Sequence, residues 1–358
     1  MTAPIDAPTS VRDGEELPAD ALRQWFAEEA PQLDGSITVE QFPSGHSNLT
    51  YLLRIDDDEY VLRRPPFGAE KIAKGHDMSR EWTILSALKG HFPQIPSPIA
   101  YCEDADVIGA PFYVMERVRG VILRSANPAV EGLDEETMRG LSEAFVDTLV
   151  DIHSLDYEEC GLADFGRPKG YVERQVHGWT KRYRRARTDD IPDMEATAKW
   201  LARKMPSEVG ASVIHNDFKY DNFVLDPADL TRVRAVLDWE MATVGDPLMD
   251  LGTALAYWVE PDDPQVFHAL DFGPTAKAGS FTRRQLVDRY CGATNRDPEN
   301  ILFYYVFGLF KVAVIGQQIY FRYTEGDTDD PRFAMLIHAV RALAERAQEA
   351  IDQDSIGA

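Results

Sequence analysis

The segment Val213-Ile214-His215-Asn216-Asp217-Phe218-Lys219-Tyr220-Asp221-Asn222 places a histidine, an aspartate, a lysine and an asparagine at the spacing H-x-D-x-K-x-x-N. Three of these residue types each suit one task in moving a phosphoryl group to an alcohol. Asp217 can face an acceptor hydroxyl, orient it and take its proton. Lys219, two residues on, can reach the oxygens of the transferring group. Asn222, five residues on, can turn back into the same site and offer a carbonyl oxygen to a metal. Sixteen residues further, Val236-Leu237-Asp238-Trp239-Glu240 is an apolar strand that ends in a carboxylate. Asp238 is suited to Mg²⁺ bridging the β- and γ-phosphates of a nucleoside triphosphate, because Mg²⁺ takes oxygen ligands and keeps phosphates as partners. A lone H-x-D is common by chance. Two such signals at this separation, each after an apolar strand, carry weight. The plainer alternative is that Asp217 and Asp238 are loop carboxylates capping turns.

Two other segments, Asp164-Phe165-Gly166 and Asp271-Phe272-Gly273, spell a metal-holding motif of protein kinases. The first precedes the 215–222 loop and the second lies between helical patterns. Both read as ordinary turns, and the metal role goes to Asp238.

These residues need a frame. Residues 20–30 have a helical apolar period. Ser36–Phe42 and Leu49–Ile55 alternate as strands, and Tyr60–Arg64 is a third strand closed by Pro65-Pro66. Asp56-Asp57-Asp58 forms the turn between the second and third. His76–Leu88 is an amphipathic helix. Ile99–Cys102 and Phe112–Val118 are two further strands around a Gly109-Ala110-Pro111 turn. Beyond Gly120 the pattern becomes helical: Glu135–Ser154, Val172–Arg187, Met194–Lys204, Pro247–Val259, Phe281–Cys291, Asn300–Tyr323 and Pro331–Ile351, with a strand-rich insert from Ser212 to Trp239. Residues 1–18, polar and rich in Pro and Ala, read as a flexible tail and lack the pattern of a signal peptide. The expected organisation is a tail (1–18), a sheet-bearing lobe (19–118) and a helical lobe (119–358).

The chain has 358 residues, of which 44% are hydrophobic, enough for two packed lobes. No run of about 18 apolar residues lacks charges, so no transmembrane helix is expected. Three widely spaced cysteines, Cys102, Cys160 and Cys291, argue against a disulfide framework and for a reducing, cytoplasmic setting. With 37 Lys+Arg against 60 Asp+Glu, the formal charge is −23. Such a surface repels nucleic acid and anionic membranes. One stretch departs from it: Lys181-Arg182-Tyr183-Arg184-Arg185-Ala186-Arg187, following Trp179. It reads as a solvated helix end, or as a contact for an anionic substrate. Aromatic residues in 303–310 and 320–323 read as core, or as the lining of an acceptor pocket.

The chain resembles the aminoglycoside phosphotransferase/choline kinase group of kinase-like enzymes, above all the kinase-like domains fused to some acyl-CoA dehydrogenases. The resemblance spans roughly residues 35 to 345. It is carried by Ser44-Gly45-His46-Ser47-Asn48-Leu49-Thr50-Tyr51, Tyr60-Val61-Leu62-Arg63-Arg64-Pro65-Pro66, the 215–222 loop, and Asp238-Trp239-Glu240 with Gly245-Asp246-Pro247-Leu248-Met249-Asp250-Leu251. The Trp179 helix and Gln317-Gln318 also look like that branch. The resemblance implies an α+β, protein-kinase-like two-lobed fold, with a five-stranded antiparallel sheet in the first lobe. It implies that Ser44, Gly45, His46, Ser47 and Asn48 form the phosphate-covering turn, with Ser44 where the family often has glycine. It aligns Arg63 with the kinase lysine that holds the α/β-phosphates and makes Glu81 its partner. It makes backbone groups of Glu116 and Arg117 the hinge that holds the base of ATP, or of GTP. Asp250 would bond the catalytic-loop backbone, and Asp246 and His215 would be structural. The implied acceptor is a small-molecule hydroxyl compound, either anionic (hydroxyacyl-CoA-like) or aminoglycoside-like. A non-catalytic, nucleotide-binding pseudokinase acting as scaffold or sensor is the alternative. A protein kinase is disfavoured, because G-x-G-x-x-G and an A-P-E after Asp238 are missing.

Overall fold

The computed structural model describes residues 5–43, 48–67, 77–124, 127–270, 272–328 and 330–357. The chain forms two compact units. The first comprises Met1–Ile122, Phe223–Asp229 and Val233–Ala242; the second comprises Leu123–Asn222, Leu230–Arg232 and Thr243–Ala358.

The first unit is built on five antiparallel strands: β1 (Ile37–Gln41), β2 (Leu49–Ile55), β3 (Asp58–Arg64), β4 (Pro98–Cys102) and β5 (Phe112–Glu116), in the order β1-β2-β3-β5-β4. Alternation decides which residues face which layer. Tyr51, Leu53, Leu62, Phe112 and Val114 join Leu22 and Phe26 of helix α1 (Ala19–Glu29) in one core. Each such buried side chain contributes about 1.5–3 kcal/mol relative to exposure. Val61 and Arg63 stand on the opposite face. Helix α2 (Met78–Leu88) opens with Asp77 accepting from the Ser79 N–H, and it buries Glu81 among its apolar residues. A single helical turn, α3 (Ala105–Ile108), precedes the Gly109 turn.

Residues 5–18 do not trail off as the sequence suggests. Thr9 and Gln41 exchange backbone hydrogen bonds of 2.8 and 2.9 Å, the Tyr51 hydroxyl donates to the Glu15 carbonyl, and Leu17 is buried. β1 is an edge strand with unpaired backbone groups, and this segment covers it.

The hairpin of β7 (Phe223–Leu225) and β8 (Val233–Val236), strands as the sequence suggests, groups with the first unit, although it lies within the range (119–358) assigned to the other lobe. Val121 bridges to Leu225, and Gly120 makes the approach possible: a Cβ there would lie 2.4 Å from the Leu225 carbonyl oxygen.

The second unit is helical: α4 (Glu135–His153), α5 (Tyr171–Ala186), α6 (Pro192–Lys204), α7 (Pro247–Tyr257), the single turn α8 (Gln265–His268), α9 (Arg283–Thr294), α10 (Ile301–Thr324) and α11 (Leu336–Gln353). Its small sheet pairs β6 (Ser212–Ile214) with β9 (Thr243–Gly245), a strand the sequence reading missed. Asp246 caps α7, accepting from the N–H groups of Leu248 and Val209, with Pro247 in the first turn. Every residue of α7 is buried, and α10 packs along it. The contact is glycine on glycine: a Cβ at Gly308 would lie 2.1 Å from the Gly252 carbonyl oxygen. α10 is long and apolar enough to cross a membrane despite the charge of Lys311 within it, but 78% of its most apolar stretch is buried against its neighbours. The second unit uses that apolarity as core.

Candidate active site

In the second unit, β6 delivers His215 to Asn222 as a short, heavily bonded loop. The Asp250 carboxylate of α7 accepts from two successive backbone N–H groups, His215 at 2.6 Å and Asn216 at 2.7 Å. His153 of α4 backs it, with Nε2 at 3.2 Å from Asp250 Oδ2 and Nδ1 at 2.7 Å from the Tyr290 hydroxyl. Burial holds His153 below its ordinary pKa and therefore neutral. Burial works against the Asp250 charge, but the His153 bond and the loop N–H groups outweigh it and keep the carboxyl below its usual range. Asn216 is left-handed, φ 66°. His215 Nδ1 accepts from the Asp217 N–H at 3.2 Å, a structural role.

The loop presents Asp217 with both carboxylate oxygens engaged. Oδ1 accepts from the Tyr257 hydroxyl at 2.8 Å; Oδ2 accepts from the Asn222 amide at 3.1 Å and pairs with Lys219 Nζ at 3.1 Å. Burial pushes the carboxyl up, but Lys219 and the Tyr257 hydroxyl outweigh it and hold the pKa at about 2. Lys219 also lies 5.0 Å over the Tyr257 ring. Asn222 donates a second bond to the Asp217 carbonyl at 2.7 Å. Spending the amide nitrogen on Asp217 turns the Asn222 carbonyl oxygen the other way, as a hard donor suited to Mg²⁺.

In the first unit, Arg63 is 8% exposed and Glu81 is 1% exposed, so neither is a solvated surface charge. Arg63 Nη1 donates to Glu81 Oε1, and Nη1 and Nη2 both reach Asp238 Oδ1 at 3.1 Å. Burial opposes the Arg63 charge, but Glu81, Asp238 and Glu240 hold its pKa well above the ordinary value. Glu81 Oε1 also accepts from the Trp239 N–H at 3.1 Å, which ties α2 to the residue after Asp238. Asp238 is left-handed, φ 66°, with its side chain 32% exposed. The other described non-glycine residues at positive φ, Asp56, Asn295 and Asp354, lie in a hairpin turn and at the ends of helices. Asn216 lies in the loop after β6 and Asp238 directly precedes the 3-10 turn Trp239–Met241, and strained backbone of this kind gathers at functional sites.

Asn48 is buried and donates to Glu240 Oε2 at 2.8 Å. Ser44, Gly45, His46 and Ser47, the expected phosphate-covering turn, lie outside the described residues, as does Asp271 of the second decoy. Asp164-Phe165-Gly166 is a turn, as expected. At the expected hinge, the Glu116 N–H is committed to the Ser97 carbonyl at 2.9 Å, and Arg117 pairs with Glu59. Of the basic stretch, Arg184 pairs with Glu195 and Arg182 lies 4.6 Å over the Trp179 ring. Phe303, Tyr304, Tyr305, Phe307 and Phe310 are core, while Tyr320 and Tyr323 are half-buried. An open depression of about 550 Å³, lined by Glu195, Lys199, Trp200 and Gln348 among others, shares no residue with the 215–222 loop or with Arg63, Glu81 and Asp238. Among the described residues no three His, Cys, Asp or Glu side chains cluster to cage a metal. Taken one at a time, the Asn222 carbonyl oxygen in the second unit and the Asp238 carboxylate in the first are hard oxygen donors of the kind Mg²⁺ takes.

Sequence reasoning missed Tyr257, Glu240 and Lys311. Nothing local marks Tyr257. Glu240 adjoins a motif residue. Lys311 is a lone cation in an apolar run, which is a readable signal.

Comparison with known proteins agrees with this geometry. Residues 38–286 match the family model described as the phosphotransferase enzyme family. The chain is 36% identical to acyl-CoA dehydrogenase family member 11 of Gallus gallus, over 88% of its own length and 40% of that protein. It is 33% identical to acyl-CoA dehydrogenase family member 10 of Mus musculus, over 94% and 31%. It thus spans about two fifths or less of these relatives. A solved Ralstonia eutropha protein assigned to the aminoglycoside phosphotransferases superposes with a TM-score of 0.78 at 30% identity, over 94% of this chain and 99% of that one. Two more distant structures share the fold. One is a mutant aminoglycoside phosphotransferase APH(4)-Ia with ADP and hygromycin B (16% identity, 92% and 98% covered, TM-score 0.57). The other is aminoglycoside 2'-phosphotransferase-IIIa with GDP (14% identity, 93% and 99% covered, TM-score 0.59). The α+β, kinase-like fold, the match over most of the chain and the loop geometry lead to one conclusion: this chain belongs to the phosphotransferase enzyme family.

Proposed function

We propose that the protein transfers the γ-phosphoryl of ATP, or of GTP, to the hydroxyl of a small molecule. The observation that carries this reading is the Asp217 carboxylate, fixed by Tyr257, Asn222 and Lys219. Asp217 aims the acceptor hydroxyl. A carboxyl held at about 2 is a weak base, so it takes the proton late, once bonding to phosphorus has made the hydroxyl acidic. This suits a loose transition state, in which positioning and charge neutralisation do most of the work. As the new O–P bond forms, the bond to the β,γ-bridging oxygen breaks, and the hydroxyl proton passes to Asp217. Lys219 and Arg63 neutralise phosphate oxygens. Asn222 and Asp238 would hold magnesium, which supplies charge compensation at the β- and γ-phosphates when bound. Nucleotides in the ADP and GDP complexes of proteins sharing the fold support the choice of donor.

For the acceptor we favour an anionic molecule, such as a hydroxyacyl-CoA-like compound, over an aminoglycoside-like polycation. Among the described residues Arg182 has no carboxylate partner, and it lies on the Trp179 ring. Three buried, unpaired cysteines suit a reducing, cytoplasmic setting.

Magnesium-dependent nucleotide consumption, screened over hydroxyl metabolites, hydroxyacyl-CoA esters and aminoglycosides, tests the proposal. Asp217→Ala should lower turnover by roughly 10²–10⁴-fold. Turnover near wild type would remove Asp217 from the mechanism. Nucleotide binding without turnover on any acceptor would instead favour the scaffold or sensor reading.

A further inference from the structure

Lys311 lies in the middle of α10 and is 2% exposed. Burying an ammonium costs several kcal/mol unless the site repays it with good partners. The partners here are specific. Nζ donates to the Asn216 carbonyl at 2.6 Å, lies 3.4 Å from Asn216 Oδ1, and faces the Trp179 ring at 5.9 Å. The Asn216 carbonyl belongs to the peptide group whose nitrogen is that of Asp217. The preceding peptide group is held from the other direction, since its N–H donates to Asp250. Tyr171 meets the Asn216 side chain, its hydroxyl 3.2 Å from Nδ2. Asn216 is left-handed, a conformation that costs roughly 1 kcal/mol and persists only where its surroundings hold it.

We infer that Lys311 is a positioning residue for the phosphoryl transfer: by gripping the Asn216 carbonyl it sets the plane of the 216–217 peptide and so the direction of the Asp217 carboxylate. The inference rests on the phosphotransferase reading for its catalytic consequence, but the grip on the loop is independent of it. Asp250 holds the N–H side of residue 216 and Lys311 holds its C=O side, so the backbone before Asp217 has no free rotation. Lys311 reaches no acceptor or phosphate itself in this account.

The test uses the full chain with Lys311→Met, which keeps length and apolar packing but removes the donor, and Lys311→Gln, which keeps an N–H donor without charge. The readouts are kcat and KM for magnesium-dependent ATP turnover, thermal midpoint, and amide exchange of residues 213–222. We expect Lys311→Met to lower kcat about 10–100-fold with KM for Mg-ATP within about threefold. Its thermal midpoint should stay within a few degrees, and faster exchange should be confined to the 213–222 segment. Lys311→Gln should lose less on both counts. The inference is overturned if Lys311→Met keeps kcat within about twofold with unchanged loop exchange. It is overturned equally if kcat falls while exchange rises across the whole second unit, which is loss of folding. If the wild type turns over no Mg-ATP, the phosphotransferase reading fails by itself, and the exchange measurement alone then decides whether Lys311 holds the loop.

Discussion

At the scale of the residue, the site works by surrounding charge with opposite charge where water is scarce. Burial lowers the pKa of Lys311 to about 8, with Asp250 and Asp217 raising it and Arg182 and Lys219 lowering it further. The unfolded chain titrates this lysine near 10.4. Between these values the unfolded state binds more protons than the native one, so stability rises with pH. The contribution is complete above the unfolded value and is lost as pH falls through about 8. Turnover should move the opposite way, because above about 8 the amine loses the charge that grips the Asn216 carbonyl. The thermal midpoint of the wild type relative to Lys311→Met should therefore increase from pH 7.5 to 9.5 while the wild-type kcat declines. Parallel changes in both would contradict the assignment. The meeting of Asp217 with Lys219 and Asn222 was legible in the sequence because all three stand in one short loop. Tyr257 was not, because it meets Asp217 across 40 residues of chain. Arg63 and Glu81 were paired through family resemblance; their burial is a tertiary property that local pattern does not carry.

At the scale of the element, α7 and α10 determine how accurately the loop is aimed. α7 supplies Asp250 and Tyr257, α10 supplies Lys311, and the two meet where Gly252 faces Tyr304 and Gly308. A Cβ at Gly252 would lie 2.2 Å from the Tyr304 carbonyl oxygen, a backbone atom that cannot step aside. Gly252→Ala should cost about 1–3 kcal/mol through overpacking, despite the better helix propensity of alanine. Urea unfolding should show a lower midpoint at unchanged slope, and kcat should fall as the helices separate. An unchanged midpoint would mean that the approach is looser than described. The strands of the five-stranded sheet and the long helices followed from their periods. β9 and α3 are too short to show a period. The 5–18 segment looked like a tail because an edge strand's need for cover appears only once the sheet order is known.

At the scale of the whole molecule, the proposed function asks a chain of net charge −23 to take up a polyanionic nucleotide. Cations held inside each unit, Arg63 in the first and Lys219 and Lys311 in the second, offset that field locally. On the proposed function, magnesium would lower the charge of the incoming nucleotide further. Saturating Mg-ADP at about 100 times its Kd should add about 2.7 kcal/mol of stability, seen as a rise of a few degrees in the thermal midpoint. Asp238→Asn should remove the magnesium-dependent part of that rise and leave any metal-independent part. A full rise in the variant would take Asp238 out of the metal site. The most direct measurement follows the label from γ-³²P-ATP with magnesium and a panel of hydroxyl compounds. The account predicts that label appears on a small-molecule alcohol, and that Asp217→Ala slows its appearance by about 10²–10⁴-fold. Transfer that proceeds undiminished in Asp217→Ala would contradict it.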